Sequence, residues 1–370
     1  MSGRVLHRLK RLPRVELHLH LEGSVSRSRL RRLWSGGTPD PDLPADPAHL
    51  CRHRNFREFL NHFALVTRLL RTPRDFADIT ADLCRSLGRQ GIVAAEVFLS
   101  PVIFTRRGLP FLEILDAIDG AAKEGERAGG PALRWILDGV RQWGAAGFEE
   151  NLECARAAGG RVLGIGLGGD ESSVPAREFA PYFAEARRLG LRTVAHAGEF
   201  GSARSVRDAV EWLGAERIGH GIRVLEDPGV VRMIRREGVT LDVCPTSNLR
   251  TGVVRAWAEH PLPGLVRRGV RVTLNSDDPG LFGTNLANEY RLVHRHLGLR
   301  GATLYRIHLE SIRASFLGSG EKRRLIQESR EAWKGGAGTR HAHPARTRGN
   351  LLTLGGGRAV RSGQLARARA

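Results

Sequence analysis

The chain has 370 residues, of which 41% are hydrophobic, and a formal net charge of +19. This composition is that of a globular protein with a sizeable core, and no apolar run is long enough to span a membrane. The charge is concentrated at the ends, since residues 1–14 hold five basic residues and residues 336–370 hold seven arginines, without an acid in either. This distribution argues against a nucleic-acid-binding face.

Residues 1–12 read as a basic N-terminal extension, and the first predicted strand, Val15–Leu21, follows it. Side chains alternate faces along a strand, so His18 and His20 are expected on one face and the leucines between them on the other. Two imidazoles side by side can share a cation. The alternative is a pair of hydrogen-bonded histidines on a half-buried strand.

Residues 49–90 follow the first predicted strand and are predicted to be a helical insertion. Hydrophobic residues recur in it at three- and four-residue spacing, at Phe56, Phe59, Phe63, Val66 and Leu70. Such a helix packs on the wall of the domain or forms a lid over a site, and the sequence leaves both interpretations open.

From residue 93 a unit repeats, consisting of an apolar β-branched run, a polar cluster and a helix-like stretch such as Phe179–Leu189 or Val230–Glu237. The further predicted strands are Val93–Leu99, Leu133–Leu137, Val162–Leu167, Leu191–Ala195, Arg217–Gly219, Val239–Val243 and Val270–Leu274. Eight strands alternating with helices predict an α/β protein with a (β/α)8 TIM-type barrel, over residues 13–334. An open doubly wound sheet is the competing architecture, but it more often shows a glycine fingerprint after its first strand. Residues 335–370 lack periodicity and acids and are predicted to be a disordered basic tail.

Polar residues capable of metal and proton chemistry follow these strands, where a (β/α)8 barrel carries its active site. These polar residues are His18, His20, His196, Glu199, His220, Asp277 and Asp278. Together they predict a mononuclear divalent metal site with a general acid–base set. Of the two adjacent aspartates, one can bind the metal while its neighbour handles a proton.

Six motifs, "ELHLHLEG", "GIGLGGDE", "HAGE", "RIGHG", "CPTSN" and "NSDDPGLFGTNL", occur in the order and spacing of the adenosine deaminase family. The chain resembles this family over roughly residues 12–333. The resemblance implies a hydrolase that replaces the 6-amino group of a purine with oxygen, using one Zn²⁺ per chain. It implies that the zinc ligands are His18, His20, His196 and Asp277.

The resemblance also implies the roles of the other site residues. Glu199 resembles the proton donor to purine N1, and His220 the group that orients the attacking hydroxide and stabilises the developing charge. Asp278 resembles the partner of purine N7 and of the attacking water. Gly169 resembles the backbone N–H donor to purine N3, where a side chain would obstruct close approach.

One departure bears on the substrate. Adenosine deaminases usually carry aspartate where this chain has Glu22, and the family uses it to hold the ribose 5′-hydroxyl. The longer carboxylate is more typical of branches that act on adenine or on 6-aminodeoxyfutalosine, an adenine nucleoside of menaquinone synthesis with a bulky aryl ketone on its 5′ carbon. Thr246 in "CPTSN" instead resembles the nucleoside branches. The expected substrate is therefore a purine nucleoside, adenosine narrowly first, with 6-aminodeoxyfutalosine and adenine as alternatives.

The chain lacks the residues that two related classes of enzyme require. Cytidine-type deaminases pair H-x-E with P-C-x-x-C, which four isolated cysteines do not supply. Binuclear barrel hydrolases of the dihydroorotase kind use a carboxylated lysine at a strand end, where this chain has none. A basic nucleic-acid-binding or inactive barrel is the non-enzymatic alternative, against which the completeness of the proposed site argues. The cysteine spacing and the lack of an apolar leader predict a cytoplasmic protein.

Overall fold

The computed structural model describes residues 2–35, 42–44 and 46–334. Their eight parallel strands pair in chain order, each with the next, and alternate with helices. The strands are β1 Arg14–His20, β2 Ile92–Leu99, β3 Ala132–Val140, β4 Val162–Gly168, β5 Arg192–Ala197, β6 Arg217–His220, β7 Thr240–Val243 and β8 Arg271–Leu274. The predicted (β/α)8 barrel is confirmed. The predicted tail, 335–370, lies outside the described residues.

The α-helices of the described residues lie before, between and after the strands. They are α1 Ser2–Lys10, α2 Arg27–Ser35, α3 Phe56–Leu69, α4 Pro73–Arg89, α5 Pro101–Thr105, α6 Phe111–Arg127, α7 Gly144–Ala157, α8 Ala180–Arg188, α9 Ala203–Leu213, α10 Pro228–Glu237, α11 Pro245–Arg250, α12 Leu262–Arg267, α13 Pro279–Phe282, α14 Leu286–His296, α15 Gly301–Ala314 and α16 Ser319–Lys334. The predicted basic extension is largely α1, which packs against α14, α15 and α16. None of the described helices combines the length and the apolar content needed to cross a bilayer.

The alternation expected of β1 is observed. The rings of His18 and His20 lie inside the barrel, 5.4 Å apart between centroids. Leu17 packs outward with Ile312 and Leu325 of the surrounding helices. Because helices cover the outer face, both faces of β1 are buried.

The barrel closes between its first and last strands through residues that follow β8. The N–H of His20 donates to the carbonyl of Asp277 at 2.9 Å, and the N–H of Asp277 donates to the carbonyl of His18 at 3.1 Å. The side-chain oxygen of Asn275 accepts from the N–H of Leu17 at 2.9 Å. Asp277 is therefore part of the seam of the barrel.

The helical insertion after β1 has two parts with different positions. α4 packs against α6 and β2 on the barrel wall, and a capping box between Thr72 and Asp75 fixes its first turn. α3 instead reaches the carboxyl ends of the strands, where Phe59 lies 4.9 Å from Phe282 and Phe63 lies 6.3 Å from His20, between ring centroids. α4 therefore has the position expected of a wall helix and α3 the position expected of a lid, so α3 is called the lid below.

A buried arginine organises a second polar region of the barrel. Arg217, the first residue of β6, places Nη1 2.6 Å from Glu96 Oε2 and Nε 2.8 Å from Asp242 Oδ2. Its guanidinium also lies 4.2 Å from the ring centroid of Phe316. Arg217, Glu96 and Asp242, called the Arg217 cluster below, combine a cation and two carboxylates in contact.

Candidate metal centre and active site

Two strands and the segment after β8 bring the four predicted ligands together. His18 and His20 project from β1, His196 projects from β5, and Asp277 follows β8. One ligand atom from each lies within 4.8 Å of the ligand atoms of the other three, and all four residues are buried. The geometry can therefore hold one metal ion, and the identity of its ligands stays a prediction.

The chemistry of these side chains fits a cation. Burial lowers the pKa of His18, His20 and His196, so their imidazoles are neutral and can donate a lone pair. Neither ring nitrogen of His18 has a hydrogen-bond partner among the described residues, although the side chain is fully buried. Such a group is costly unless something else satisfies it, and a metal ion does so.

The backbone is strained at two positions of this site. Among the described residues, only His220 and Asp277 combine a side chain with a left-handed backbone, at φ of 61° and 62°. Each such residue costs about 1–3 kcal/mol and persists where its surroundings hold it. The strain directs both side chains toward the same point, because His220 Nε2 lies 3.9 Å from Asp277 Oδ2.

His220 is oriented by a residue whose role the sequence did not indicate. Nδ2 of Asn248 lies 3.2 Å from Nδ1 of His220 and donates to it. This hydrogen bond leaves the proton of His220 on Nε2, which lies 3.4 Å from Glu199 Oε2. Asn248 belongs to "CPTSN", and its place at a strand end was the available signal.

Glu199 lies in a loop that a second acidic residue holds. Glu171 accepts hydrogen bonds from three successive backbone N–H groups, of Gly198 at 2.7 Å, Glu199 at 2.7 Å and Phe200 at 2.9 Å. Burial, with the charges of Asp277 and Glu171, raises the pKa of Glu199 well above its ordinary value. Glu199 can therefore hold a proton at neutral pH.

Asp278 packs against Gly23, in the short helical turn that follows β1. Its carboxyl group is buried, and burial with the charge of Asp277 raises its pKa well above the usual range. A Cβ on Gly23 would lie only 1.7 Å from Asp278 Oδ1. The glycine of "HLEG" therefore makes room for this carboxyl group.

Gly169 meets the requirement expected of it. Its φ of 94° disfavours any other residue, and a Cβ would lie 2.3 Å from the side-chain oxygen of Gln142. The close neighbour of Gly169 is therefore the side chain of Gln142, and the role of this backbone toward a purine stays a prediction.

Two further carboxyl groups lie buried at the carboxyl ends of the strands, called the mouth of the barrel below. Glu22 Oε1 accepts from the N–H of Ser100 at 2.8 Å, and burial raises the pKa of Glu22 to about 7. Burial and the charge of Glu22 raise the pKa of Asp138 well above its usual value. Glu22 Oε2 and Asp138 Oδ1 hydrogen-bond to no other described residue.

Asp138, at the end of β3, had no role in the sequence analysis. A Cβ on Gly166 or Gly168 of β4 would lie 2.4 Å or 2.3 Å from its carboxyl oxygens. The glycines of "GIGLGG" therefore make room for an inward-pointing acid on the neighbouring strand, a relation visible only once the strands are paired.

The four cysteines are free and buried. Cys244 lies near His220 and Asp277, but burial raises the pKa of its thiol well above 9, so it remains protonated.

The comparisons with known proteins agree in one family. Residues 13–332 match the adenosine deaminase family. Aminodeoxyfutalosine deaminase from Streptomyces avermitilis is 40% identical over 334 residues, which cover 88% of this chain and 93% of that protein.

Two solved structures share the fold. Adenine deaminase from Arthrobacter aurescens is 30% identical with a TM-score of 0.83, covering 88% of this chain and 100% of its own. An amidohydrolase from Burkholderia ambifaria with bound zinc is 26% identical with a TM-score of 0.82, covering 90% of this chain and 93% of its own.

Proposed function

Because the chain belongs to the adenosine deaminase family, we propose that it removes the 6-amino group of 6-aminodeoxyfutalosine or a closely similar 5′-aryl adenine nucleoside. This replaces the expectation that adenosine comes first, since the relative at 40% identity is an aminodeoxyfutalosine deaminase. The observation that carries the proposal is the pair of unpartnered carboxyl groups in the mouth, beneath an aromatic lid.

Glu22 and Asp138 support a nucleoside over free adenine. Each has a buried oxygen without a described hydrogen-bond partner, and such groups require one. A ribose ring offers two hydroxyl groups, whereas the corresponding end of free adenine offers only one N–H. Two carboxyl groups therefore match the sugar better than the bare base.

The phenylalanines around the mouth support an aryl group at the 5′ position. Phe56 of the lid stacks on Phe200 with ring centroids 3.6 Å apart, and Phe59 packs against Phe282. Aromatic rings prefer aromatic partners in offset or edge-to-face contact. Phe63, which is half-buried above His20, completes an apolar surface for the substituent.

For the reaction, His18, His20, His196 and Asp277 would hold a divalent cation, for which we propose zinc. When bound, such a cation acts as a Lewis acid and lowers the pKa of water toward neutrality. Glu199 holds the proton that purine N1 receives, which makes C6 electrophilic. His220, with its proton on Nε2, orients the attacking water, and the protonated Asp278 donates a hydrogen bond to N7 while its second oxygen accepts one from the water. The N–H of Gly169 donates to N3. The oxygen of water adds at C6, one water proton passes to the amino group, the C6–N bond breaks and ammonia leaves. The second water proton restores Glu199, and C6 keeps the oxygen as a carbonyl.

A substrate panel tests the proposal. We expect kcat/KM for 6-aminodeoxyfutalosine to exceed the values for adenosine and adenine by more than about tenfold, or some 1.4 kcal/mol of transition-state preference. Loss of the adenine absorbance follows all three reactions. A lead of that size for adenosine or for adenine would overturn the substrate assignment and leave the deamination intact.

Two variants test the contact with the ribose and the contact with the aryl group separately. Glu22→Gln should lower kcat/KM for both nucleosides, with less effect on adenine. The expected loss of transition-state stabilisation is about 1.5–3 kcal/mol, the value of a hydrogen bond to a charged group. Phe63→Leu should penalise only the aryl nucleoside, by about 0.5–1.5 kcal/mol, the contribution of an aromatic pair. Equal effects of Phe63→Leu on adenosine would show that the lid does not contact the aryl group.

A further inference from the structure

The lid carries a second group of metal-binding side chains, distinct from the four at the strand ends. His49 lies in the short helical turn Pro47–Cys51, His53 lies in the connection that follows, and Glu58 and His62 lie on α3. Residues four apart project from the same helix face, so Glu58 and His62 are neighbours. The preceding turn brings His49 to them.

The geometry of this group suits a cation. One ligand atom from each of His49, Glu58 and His62 lies within 4.8 Å of the other two. The rings of His49 and His62 are 5.6 Å apart between centroids. His62 is buried while His49 is exposed, so the group opens to solvent on one side. Three protein ligands with an open side is a common arrangement for zinc.

His53 acts on this group through His62. Its Nδ1 lies 3.0 Å from Nδ1 of His62, a contact in which one nitrogen donates and the other accepts. When His62 donates, its Nε2 carries the free lone pair. A hydrogen bond of this kind to the second nitrogen is the usual support of a metal-binding histidine.

We propose that His49, Glu58 and His62 form a second binding site for a divalent transition-metal ion, supported by His53. Two imidazoles and one carboxylate select ions such as zinc, cobalt or nickel over magnesium and calcium, which prefer oxygen ligands throughout. The site is independent of the substrate assignment.

Two of the three ligands, Glu58 and His62, are in the protonation state that binds metal at neutral pH. Hydrogen bonds from Arg54 hold the pKa of Glu58 at about 2, and burial lowers the pKa of His62. Glu58 is therefore a carboxylate and His62 a neutral imidazole, the forms that bind metal.

Occupancy of this site would act on the lid. A cation held by His49 and by Glu58 and His62 joins the turn Pro47–Cys51 to α3. The ring of His53 lies 5.7 Å from that of Phe282, four residues after Asp278. The ion therefore restrains α3 where it lies over the mouth, and its binding should reduce opening of the lid.

Arg54 is the competitor for this ion. Its Nε lies 3.1 Å from Glu58 Oε2, while its side chain is 86% exposed. An exposed ion pair is weak and exchanges readily with other partners. Removal of Arg54 should therefore strengthen metal binding.

The test uses the full-length, zinc-loaded protein, dialysed against micromolar ZnCl2 and analysed for bound metal. We expect a second equivalent in the wild type and in His7→Gln, a control at an exposed histidine on α1. His49→Gln should weaken this second equivalent by at least about 10- to 100-fold, the effect of losing even an outer partner of a metal site. Arg54→Gln should tighten it by about two- to fivefold, the size expected for an exposed ion pair.

Hydrogen exchange supplies a readout that does not depend on activity. Added ZnCl2 should protect residues 47–63 in the wild type and leave their exchange unchanged in His49→Gln. The predicted tail, 335–370, contains a further pair of histidines, His341 and His343. All variants keep this pair, so any cation that it binds contributes equally to each protein. A second equivalent absent from the wild type, or retained undiminished by His49→Gln, would overturn the proposal.

Discussion

β6 begins and ends in two groups of buried charge that differ in how they are neutralised. At its start, the Arg217 cluster contains its own cation, and Arg217 contacts the carboxylates of both Glu96 and Asp242. At its end, His220 lies among the mouth cluster, the carboxyl groups of Glu22, Asp138, Glu199, Asp277 and Asp278. No arginine or lysine of the described residues forms an ion pair with these five.

The difference separates a structural role from a functional one. A buried carboxylate is costly unless it is paired, and the Arg217 cluster meets that requirement within the chain. The mouth cluster meets it by holding protons, as the raised pKa values of Glu199, Asp278 and Asp138 indicate. A bound cation would be a second way to neutralise these carboxylates. The region that lacks its own cation is therefore the one built to receive one.

The largest effect is expected when the mouth loses its metal-binding carboxylate. Asp277→Asn tolerates the left-handed backbone but removes the charge. Activity should fall by at least about 10⁴-fold, because a Lewis-acid cation contributes several kcal/mol. Elemental analysis should find about one metal ion fewer per chain in the variant than in the wild type. Full activity of wild type after chelation would contradict the metal assignment.

The next effect concerns the proton at the mouth and leaves the metal in place. Glu199→Gln keeps the shape of the side chain but cannot deliver a proton to N1. We expect kcat to fall by about 10²- to 10⁴-fold, the usual contribution of a general acid, with metal content unchanged. Near wild-type turnover of this variant would remove Glu199 from the mechanism.

The Arg217 cluster should respond in stability and not in catalysis. Arg217→Met leaves two buried carboxylates without their cation and should lower the free energy of unfolding by about 3–5 kcal/mol. Chemical denaturation measures this loss, and metal content of the folded fraction is the control. If the single variant does not fold, the triple variant Arg217→Met, Glu96→Gln, Asp242→Asn should recover the fold. Failure of both would show that the cluster does more than neutralise charge.

The smallest effect is a dependence of stability on pH, from a carboxyl group beside the mouth. Burial raises the pKa of Glu289 from 4.5 to about 7, although the N–H of Thr246 donates to it at 3.0 Å. Above pH 4.5 the unfolded chain loses this proton first, so the contribution of Glu289 to stability decreases as pH rises toward 7. From these two values, the wild type should lose up to about 3 kcal/mol relative to Glu289→Gln over this interval.

Denaturation curves at pH 4.5, 6 and 8 give the free energy of unfolding of the wild type and of Glu289→Gln. The prediction concerns how the difference between these two free energies changes with pH, so a constant effect of the glutamine amide cancels. A difference that stays constant across this range would show that Glu289 keeps an ordinary pKa.

The strands were predictable because parallel strands of a covered barrel are short, apolar and β-branched, and each of the eight runs corresponds to an observed strand within three residues at either end. The candidate ligands were predictable from residue type, since His and Asp at strand ends point into one mouth. Asp138, Glu171 and Asn248 were given no role, because their roles depend on pairing with a neighbouring strand or loop. Arg217 likewise looks like an exposed arginine in sequence, and its partners lie on β2 and β7.

The closure of the barrel by Asp277 also has a consequence for biosynthesis. Leu17 and Asn275, which pair across the seam, are 258 residues apart in the chain. Contacts of such separation form late in folding, because the intervening chain must first become ordered. A nascent chain carrying β1 to β7 already holds three of the four predicted ligands but lacks Asp277. A cation held by all four residues would therefore reach full coordination only after the last strand has left the ribosome and docked, so its uptake would mark the completion of folding.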